Sequence, residues 1–301
     1  MSVRLGVSPI AWINDDLPEL GGDTPVETVL RDAHALGFEG IELGGKFSRD
    51  VVQLGTQLGA HQLELIGGWW SAALLERSVA EEIAALQSHL RLLDALGSTV
   101  FIIAECSNTI HGNRQAPLAG TPRLPERQWA GFGERLSALA RYLDDRGFRL
   151  AYHFHLGTVV DREEDIERFV AHTDRQVGFV VDTGHAALGG IDAERLIRTY
   201  PERVAHVHTK DVRRRIFDEI RACNGSFLDG VLAGMFTAPG DGDLDFRGVA
   251  RALTDIGYSG WVVVEAEQDP ARADPRTYSR IGLDTVRGLL GPAPQASGAS
   301  R

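Results

Sequence analysis

Lysine is nearly missing from this chain: its 301 residues include only Lys46 and Lys210, and arginine supplies almost all the positive charge. A general bias against lysine would leave survivors at random, yet both end short apolar runs, Gly40-Ile-Glu-Leu-Gly-Gly-Lys46 and His206-Val-His-Thr-Lys210. Arginine does not replace an ammonium where geometry or a shiftable pKa matters, so both lysines are expected to serve a site. Cysteine is equally scarce. Cys106 and Cys223 are too few for a disulfide framework and read as free thiols. Positive charge is in deficit overall, and a net charge of -11 argues against a nucleic-acid partner, while no basic amphipathic stretch marks a membrane surface. No apolar run approaches the roughly 20 residues that span a bilayer, and Met1-Ser-Val-Arg-Leu-Gly-Val7 enters a strand without a signal-peptide pattern. The expectations are a cytoplasmic location and a small-molecule partner. A Gly-x-Gly-x-x-Gly turn after the first strand and a P-loop are also absent, which speaks against a doubly wound nucleotide-binding sheet.

What is present is a repeating strand pattern. Short runs rich in Val, Ile, Leu and Phe fall near residues 3-8, 39-43, 62-67, 99-104, 149-154, 177-181, 204-208 and 261-265. Between them lie stretches with apolar residues at three- and four-residue spacing, such as Thr24 to Leu36, Ser78 to Leu96, Glu126 to Asp145 and Glu163 to His172. Thr24 as N-cap, Pro25 at the first helical position and Glu27 mark the first helix start, and Gly37, Gly97, Gly147 and Gly257 read as helix C-caps. Eight alternations of strand and helix predict an α/β fold, a (β/α)8 TIM barrel. The length suits one domain over 1-290, with long loops near 107-125 and 212-244, and the composition of 291-301 is that of a disordered tail.

The strand ends carry the polar residues: Glu42, Glu105, His153 and His155, Asp182 and His185, His206 and His208, Glu265 and Glu267. Active sites of parallel barrels gather at that face. Residues two apart share a face of a strand, so Phe154, Val207 and Ala266 are expected to face the helices. Mixed imidazole and carboxylate donors suit Mn, Co, Zn or Fe better than Mg or Ca.

Asp182-Thr-Gly-His185, His206-Val-His208 with Lys210-Asp211, and Val264-Glu265 resemble motifs of the xylose-isomerase-like barrel superfamily of sugar isomerases and epimerases. That resemblance implies one divalent metal on Asp182, His208 and Glu265, with a fourth ligand at the position of His153, where the superfamily usually has Glu. Loss of that carboxylate weakens an epimerase reading, which needs two glutamates on opposite faces of the substrate. Longer strings, Pro9-Ile-Ala-Trp-Ile-Asn-Asp-Asp-Leu-Pro-Glu-Leu-Gly-Gly-Asp23, Gly40-Ile-Glu-Leu-Gly-Gly-Lys-Phe47, Tyr152-His-Phe-His-Leu-Gly-Thr158, Val231-Leu-Ala-Gly-Met-Phe-Thr-Ala-Pro-Gly-Asp-Gly242 and Glu265-Ala-Glu-Gln-Asp-Pro270, are similar to the inosose dehydratase family. The family implies loss of water from 2-keto-myo-inositol (scyllo-inosose) to give a trihydroxycyclohexane dione in inositol catabolism, with Mn or Co. Some members also need glutathione, for which this sequence shows no site. Barrels of this superfamily often associate, so the resemblance also implies a homo-oligomer.

On that basis the metal, held by His153, Asp182, His208 and Glu265, is expected to stabilise an enediolate, with Glu265 as the base. Lys210, His155 and His185 are the candidate proton donors to the departing hydroxyl. Glu42, Lys46, Glu105 and Arg213 are expected to bind substrate, with Trp12 and Trp69, and also Trp70, as an apolar wall. Arg213 also begins a charged run, Arg213-Arg-Arg215, that reads as a solvated rim. The alternatives are an isomerase or epimerase on a keto-inositol or ketose at the same metal site, a catalytically silent sugar-binding barrel, and a metal-dependent phosphodiesterase, which the acidic charge opposes.

Overall fold

The computed structural model describes residues 3-291, so the expected tail lies outside the described residues apart from Gly291. The described residues form ten strands: β1 (Val3–Val7), β2 (Gly40–Leu43), β3 (Glu64–Ala72), β4 (Val100–Glu105), β5 (Arg149–His153), β6 (Gly178–Asp182), β7 (Val204–Thr209), β8 (Asp211–Val212), β9 (Phe236–Thr237) and β10 (Gly260–Val264). Eight of them close into a parallel barrel in the order β1, β10, β7, β6, β5, β4, β3, β2, which is the expected (β/α)8 architecture. The pair β8 and β9 is an antiparallel ribbon outside the barrel wall.

Helices α1 (Val26–Leu36), α2 (Val51–Ala60), α3 (Val79–Ala95), α4 (Glu126–Asp144), α5 (Glu163–His172), α6 (Thr183–Gly189) and α7 (Ala193–Thr199) follow the first six strands. They start and stop where local chemistry dictates. Ser78 and Glu81 form a reciprocal capping box at the head of α3. The four glycines read as helix stops all have positive φ, between 65° and 91°. One start differs: α1 begins at Val26, with the extended Pro25 at the capping position and no side chain able to cap from there, while the Thr24 carbonyl accepts from the Lys46 ammonium at 3.0 Å.

The main core lies between the barrel wall and the helices, while Val100, Ile102, Ala151 and Val180 pack inside the barrel. Gly6 and Gly40 leave room for Ile66 at the axis, since a Cβ at either would come within 2.2 Å of its side chain. The long segment after β7 is structured: α8 (Arg214–Ala222) and α9 (Phe227–Ala233) fold against the ribbon, before α10 (Phe246–Asp255) and, after β10, α11 (Pro275–Leu290). Asp211 fastens this excursion, its carboxylate accepting the backbone N–H of Gly240, Gly242 and Leu244, each at 3.0 Å. A second apolar cluster joins Leu17, Leu118, Leu156, Phe217, Phe227 and Phe236, so the loops after β1, β4, β5 and β7 pack together over the C-terminal mouth of the barrel. No helix among the described residues is long and apolar enough to cross a membrane.

Candidate active site

Because the strands are parallel, their C-terminal residues meet at one mouth, where a cavity of about 680 Å³, open end included, is lined by Glu42, Trp69, His153, His155, His208, Lys210, Glu265 and Glu267. Each donor is held by its own neighbourhood. Asp182 ends β6 and caps α6: one oxygen accepts the N–H of Gly184 and His185, both at 2.8 Å, and the other has no hydrogen-bond partner. That free oxygen lies 3.5 Å from His153 Nε2 and 3.7 Å from His208 Nδ1. Glu42 reaches across the barrel to accept from His206 Nε2 at 2.9 Å and His208 Nε2 at 2.8 Å. With Nε2 committed, His208 Nδ1 is turned to the cluster, 3.2 Å from Glu265 Oε1 and without a hydrogen bond of its own.

Lys210 is the central cation. Its Nζ lies 2.8 Å from Glu265 Oε2, 2.9 Å from Glu267 Oε2 and 3.2 Å from His185 Nε2. Burial by itself favours the neutral amine, but Glu265, Glu267 and Asp182 outweigh it and hold the pKa well above the ordinary lysine value. Burial likewise opposes ionisation of Asp182 and Glu42, yet Lys210 and His185 beside the first, and His208 and His206 beside the second, hold both below the usual carboxylate range. Glu267 goes the other way: burial pushes it up to about 7, against the pull of Lys210. Burial, reinforced by Lys210 and neighbouring imidazoles, depresses His155 and His185 well below the usual histidine value. The stem of Lys210 packs on Gly184, where a Cβ would come 2.8 Å from Lys210 Cγ. Gly184→Ala should therefore displace the ammonium and cost about 1–3 kcal/mol from overpacking; a melting curve and kcat matching wild type would show that the contact yields.

The donor set fits a divalent cation. Asp182 Oδ2 and His208 Nδ1 are buried and unsatisfied, and they converge with His153 Nε2 into one group of ligand atoms within 4.8 Å of one another. Three buried carboxylates, Asp182, Glu265 and Glu267, face the Lys210 ammonium, and a fourth, Glu42, faces His206 and His208. In the metal-free cluster, Glu42, Glu265 and Asp182 overcome the effect of burial and keep His208 protonated well above its ordinary pKa. A metal at Nδ1 must displace that proton, so affinity is expected to keep rising with pH above the ordinary histidine range, with proton release. Calorimetric titrations in two buffers of different ionisation enthalpy measure this; an uptake of protons would contradict it. Glu42 orients both imidazoles as a carboxylate partner of metal-binding histidine does, so Glu42→Gln should weaken metal binding by about 10- to 100-fold, read directly by metal titration.

Several expected contacts are not made. Glu105 is turned outward: on β4 the residues Val100 and Ile102 face the barrel interior, so Phe101, Ile103 and Glu105 face the helices. Its carboxylate accepts the N–H of Leu74 at 2.7 Å and Ser107 at 2.9 Å and stays outside the cavity lining. Trp12 is buried behind the mouth with its indole N–H on Asp32 at 3.3 Å, and Trp70 donates to Glu82 at 2.6 Å, so of the three tryptophans Trp69 alone walls the cavity. Lys46 binds the carbonyls of Gly22 and Thr24. Arg213 is taken by the Gly234 carbonyl at 2.8 Å and by Asp241 at 2.6 Å. Glu42 lines the cavity, but its carboxylate is occupied by the two histidines. His185 stands behind Lys210, against Phe227 and Phe236. Sequence reasoning missed Ser8, Asp15 and Asp16, which line the cavity from the segment after β1, and His111, whose ring lies 4.8 Å from that of His155. The pair Asp15-Asp16 right after the first strand was the available signal.

A closed parallel barrel with imidazole and carboxylate donors at its C-terminal mouth is the architecture of xylose isomerase-like barrels, and the chain belongs to the xylose isomerase-like TIM barrel family, which it matches over residues 30–288. Within that family its curated relatives narrow the field. It is 38% identical over 280 residues to an inosose dehydratase of Clostridium perfringens, covering 92% of this chain and 94% of the relative. It is 41% identical over 293 residues to the rhizopine catabolism protein MocC of Rhizobium meliloti, covering 97% of this chain and 90% of that one. The solved structure of the IOLI protein with a zinc atom shares the fold at a TM-score of 0.67 and 16% identity, covering 95% of this chain and 98% of that one.

Proposed function

We propose that this protein is a hydro-lyase, an inosose dehydratase that removes water from 2-keto-myo-inositol to give 3D-trihydroxycyclohexane-1,2-dione in the cytoplasm as a step of inositol catabolism. The observation that carries the reading is the direct contact of Lys210 Nζ with Glu265 Oε2 at 2.8 Å, a base and an acid able to exchange a proton. Glu265 takes the proton from the carbon beside the ketone. Lys210 gives a proton to the hydroxyl on the next carbon, which leaves as water as the carbon–carbon double bond forms. The proton on Glu265 then passes to the neutral Lys210 amine, and both groups are reset. A divalent cation held by His153, Asp182, His208 and Glu265, for which Mn or Co is the proposed identity, would supply Lewis-acid stabilisation of the charge developing on the ketone oxygen.

Hydrogen bonding ranks the three candidate donors. His155 gives its Nδ1–H to the Leu156 carbonyl at 2.8 Å, so its neutral ring turns an acceptor, not a proton, toward the cavity. His185 faces two donors, the Leu156 N–H at 3.2 Å and the Lys210 ammonium. Its single lone pair is therefore contested, and it serves to orient Lys210. Lys210 remains as the acid. An epimerase would need a second carboxylate base on the opposite face of the ring, and His153 stands at the position the superfamily gives to Glu. Incubating the Mn-loaded protein with 2-keto-myo-inositol and following the ultraviolet absorbance of the conjugated dione, with a chelated control, tests the reading. Metal-dependent growth of absorbance supports it; bound metal with isomerised sugar and no water lost would replace it with the isomerase reading.

A further inference from the structure

Asp16 is a carboxylate displayed into the cavity by a loop that is clamped at several points, and none of the steps above employs it. Asn14 Oδ1 accepts the N–H of Asp16 at 2.9 Å and of Leu17 at 2.8 Å, which sets the local turn. The loop is tied to the segment after β2 twice: Asp15 takes the Gly45 N–H with both oxygens, at 3.0 and 2.9 Å, and the Lys46 ammonium crosses back to the carbonyls of Gly22 and Thr24. Leu17, the next residue, is anchored in the apolar cluster over the mouth. All this order positions a carboxylate that has His111 Nε2 3.5 Å from its Oδ1 and whose side chain is 25% exposed. His111 is itself held, its Nδ1 against the Thr109 hydroxyl, whose one proton goes to the Gly157 carbonyl at 3.0 Å while its oxygen accepts from the ring.

We infer that Asp16 is a substrate-binding residue that accepts hydrogen bonds from vicinal hydroxyls of a ring polyol on the side of the cavity opposite the barrel floor, and that His111 is its positioning residue. The chemistry follows from the geometry. A carboxylate accepts two hydroxyl protons with its two oxygens, a pattern that neighbouring hydroxyls on a ring supply and an apolar ligand does not. The carboxylate is one-quarter exposed and its His111 contact is a long 3.5 Å, so it gives up little protein bonding on meeting a ligand. Its ties are to His111 and to its own loop, and its charge also reaches Glu267, whose carboxyl it helps to push up. Lys46, expected from sequence to touch substrate, acts here as the loop's clamp.

The inference rests on the reading of the site as one for a ring polyol, and the test separates the two. Kinetics on 2-keto-myo-inositol and calorimetric binding of myo-inositol, which lacks the ketone, are measured with the metal-loaded wild type, Asp16→Ala, Asp16→Asn, His111→Gln and the Asp16→Asn/His111→Gln double variant. Asp16→Ala should raise KM and weaken polyol binding by about 10- to 100-fold, the loss of a charge-assisted hydrogen bond, with kcat and metal content near wild type. Asp16→Asn, isosteric on a partly exposed loop, keeps the fold and should show a smaller shift in the same direction. If His111 acts through Asp16, the double variant is no worse than Asp16→Asn, whereas a merely structural role would add. Wild-type dehydration with unchanged KM and binding in both Asp16 variants overturns the inference and leaves the dehydratase reading standing. No dehydration by wild type, with polyol binding that Asp16→Ala abolishes, overturns that reading and keeps the inference. Neither turnover nor polyol binding in wild type overturns both.

Discussion

Lys210→Met should lower kcat by about 10²- to 10⁴-fold while leaving exchange of the α-hydrogen with solvent intact. In the proposed sequence Lys210 acts only when the hydroxyl leaves, after Glu265 has taken the carbon-bound proton. In D2O the variant should therefore still incorporate deuterium beside the ketone, and ultraviolet-absorbing dione should be all but absent. The substitution also removes the cation that Glu265, Glu267 and Asp182 surround. Breaking a buried ionic cluster from one side costs about 3–5 kcal/mol, so a lower melting temperature is expected as well. Lys210→Arg keeps the charge, but it brings a planar guanidinium to a place where Glu265, Glu267, Asp182 and His185 are arranged around a single ammonium. That variant should fold better than Lys210→Met and remain slow. Turnover near wild type in either variant would remove Lys210 as the acid and return His155 to consideration.

Glu265→Gln should lower kcat by a comparable factor, about 10²- to 10⁴-fold, but abolish deuterium exchange together with elimination, because it removes the first step. The amide keeps the shape and one acceptor, so the barrel should fold. The cluster becomes less negative by one charge, and metal binding is expected to weaken; kinetics therefore belong at saturating metal, with content measured. Full activity with metal bound would show that another group takes the proton. Glu267 would be the next candidate, since burial pushes it up to about 7 and one of its oxygens has no partner. The contrast between the two variants is more informative than either rate alone, since base and acid touch each other in the folded protein and only the step at which reaction stops tells them apart.

The barrel and its donor-bearing strand ends were legible in the sequence because both obey local rules. An apolar run that turns polar at its C-terminal end marks a parallel strand reaching the mouth, and His153, Asp182, His208, Lys210 and Glu265 all stand at such ends. Alternation likewise carries His206, His208 and Lys210 to one side of β7 and its extension. Contact partners do not follow from local rules. That Glu105 faces the helices depends on which parity of β4 enters the barrel, a matter of how neighbouring strands stagger, and β2, β3, β6 and β7 shift register along the way. Glu42 looked free to bind substrate because the histidines that occupy it are 164 and 166 residues away. Lys46, Trp12 and Arg213 sit at or near the mouth in sequence terms, yet each is captured by a backbone or side-chain partner brought close only by folding. Asp16 and His111 lie in loops, where no period specifies direction, and only the packing of those loops into a shared apolar cluster aims them. Sequence by itself determined the architecture and which strand ends reach the mouth, since strand direction is a property of short segments. Tertiary structure alone decided which of those residues remain free to act, since that depends on which hydrogen bonds are already satisfied by distant parts of the chain.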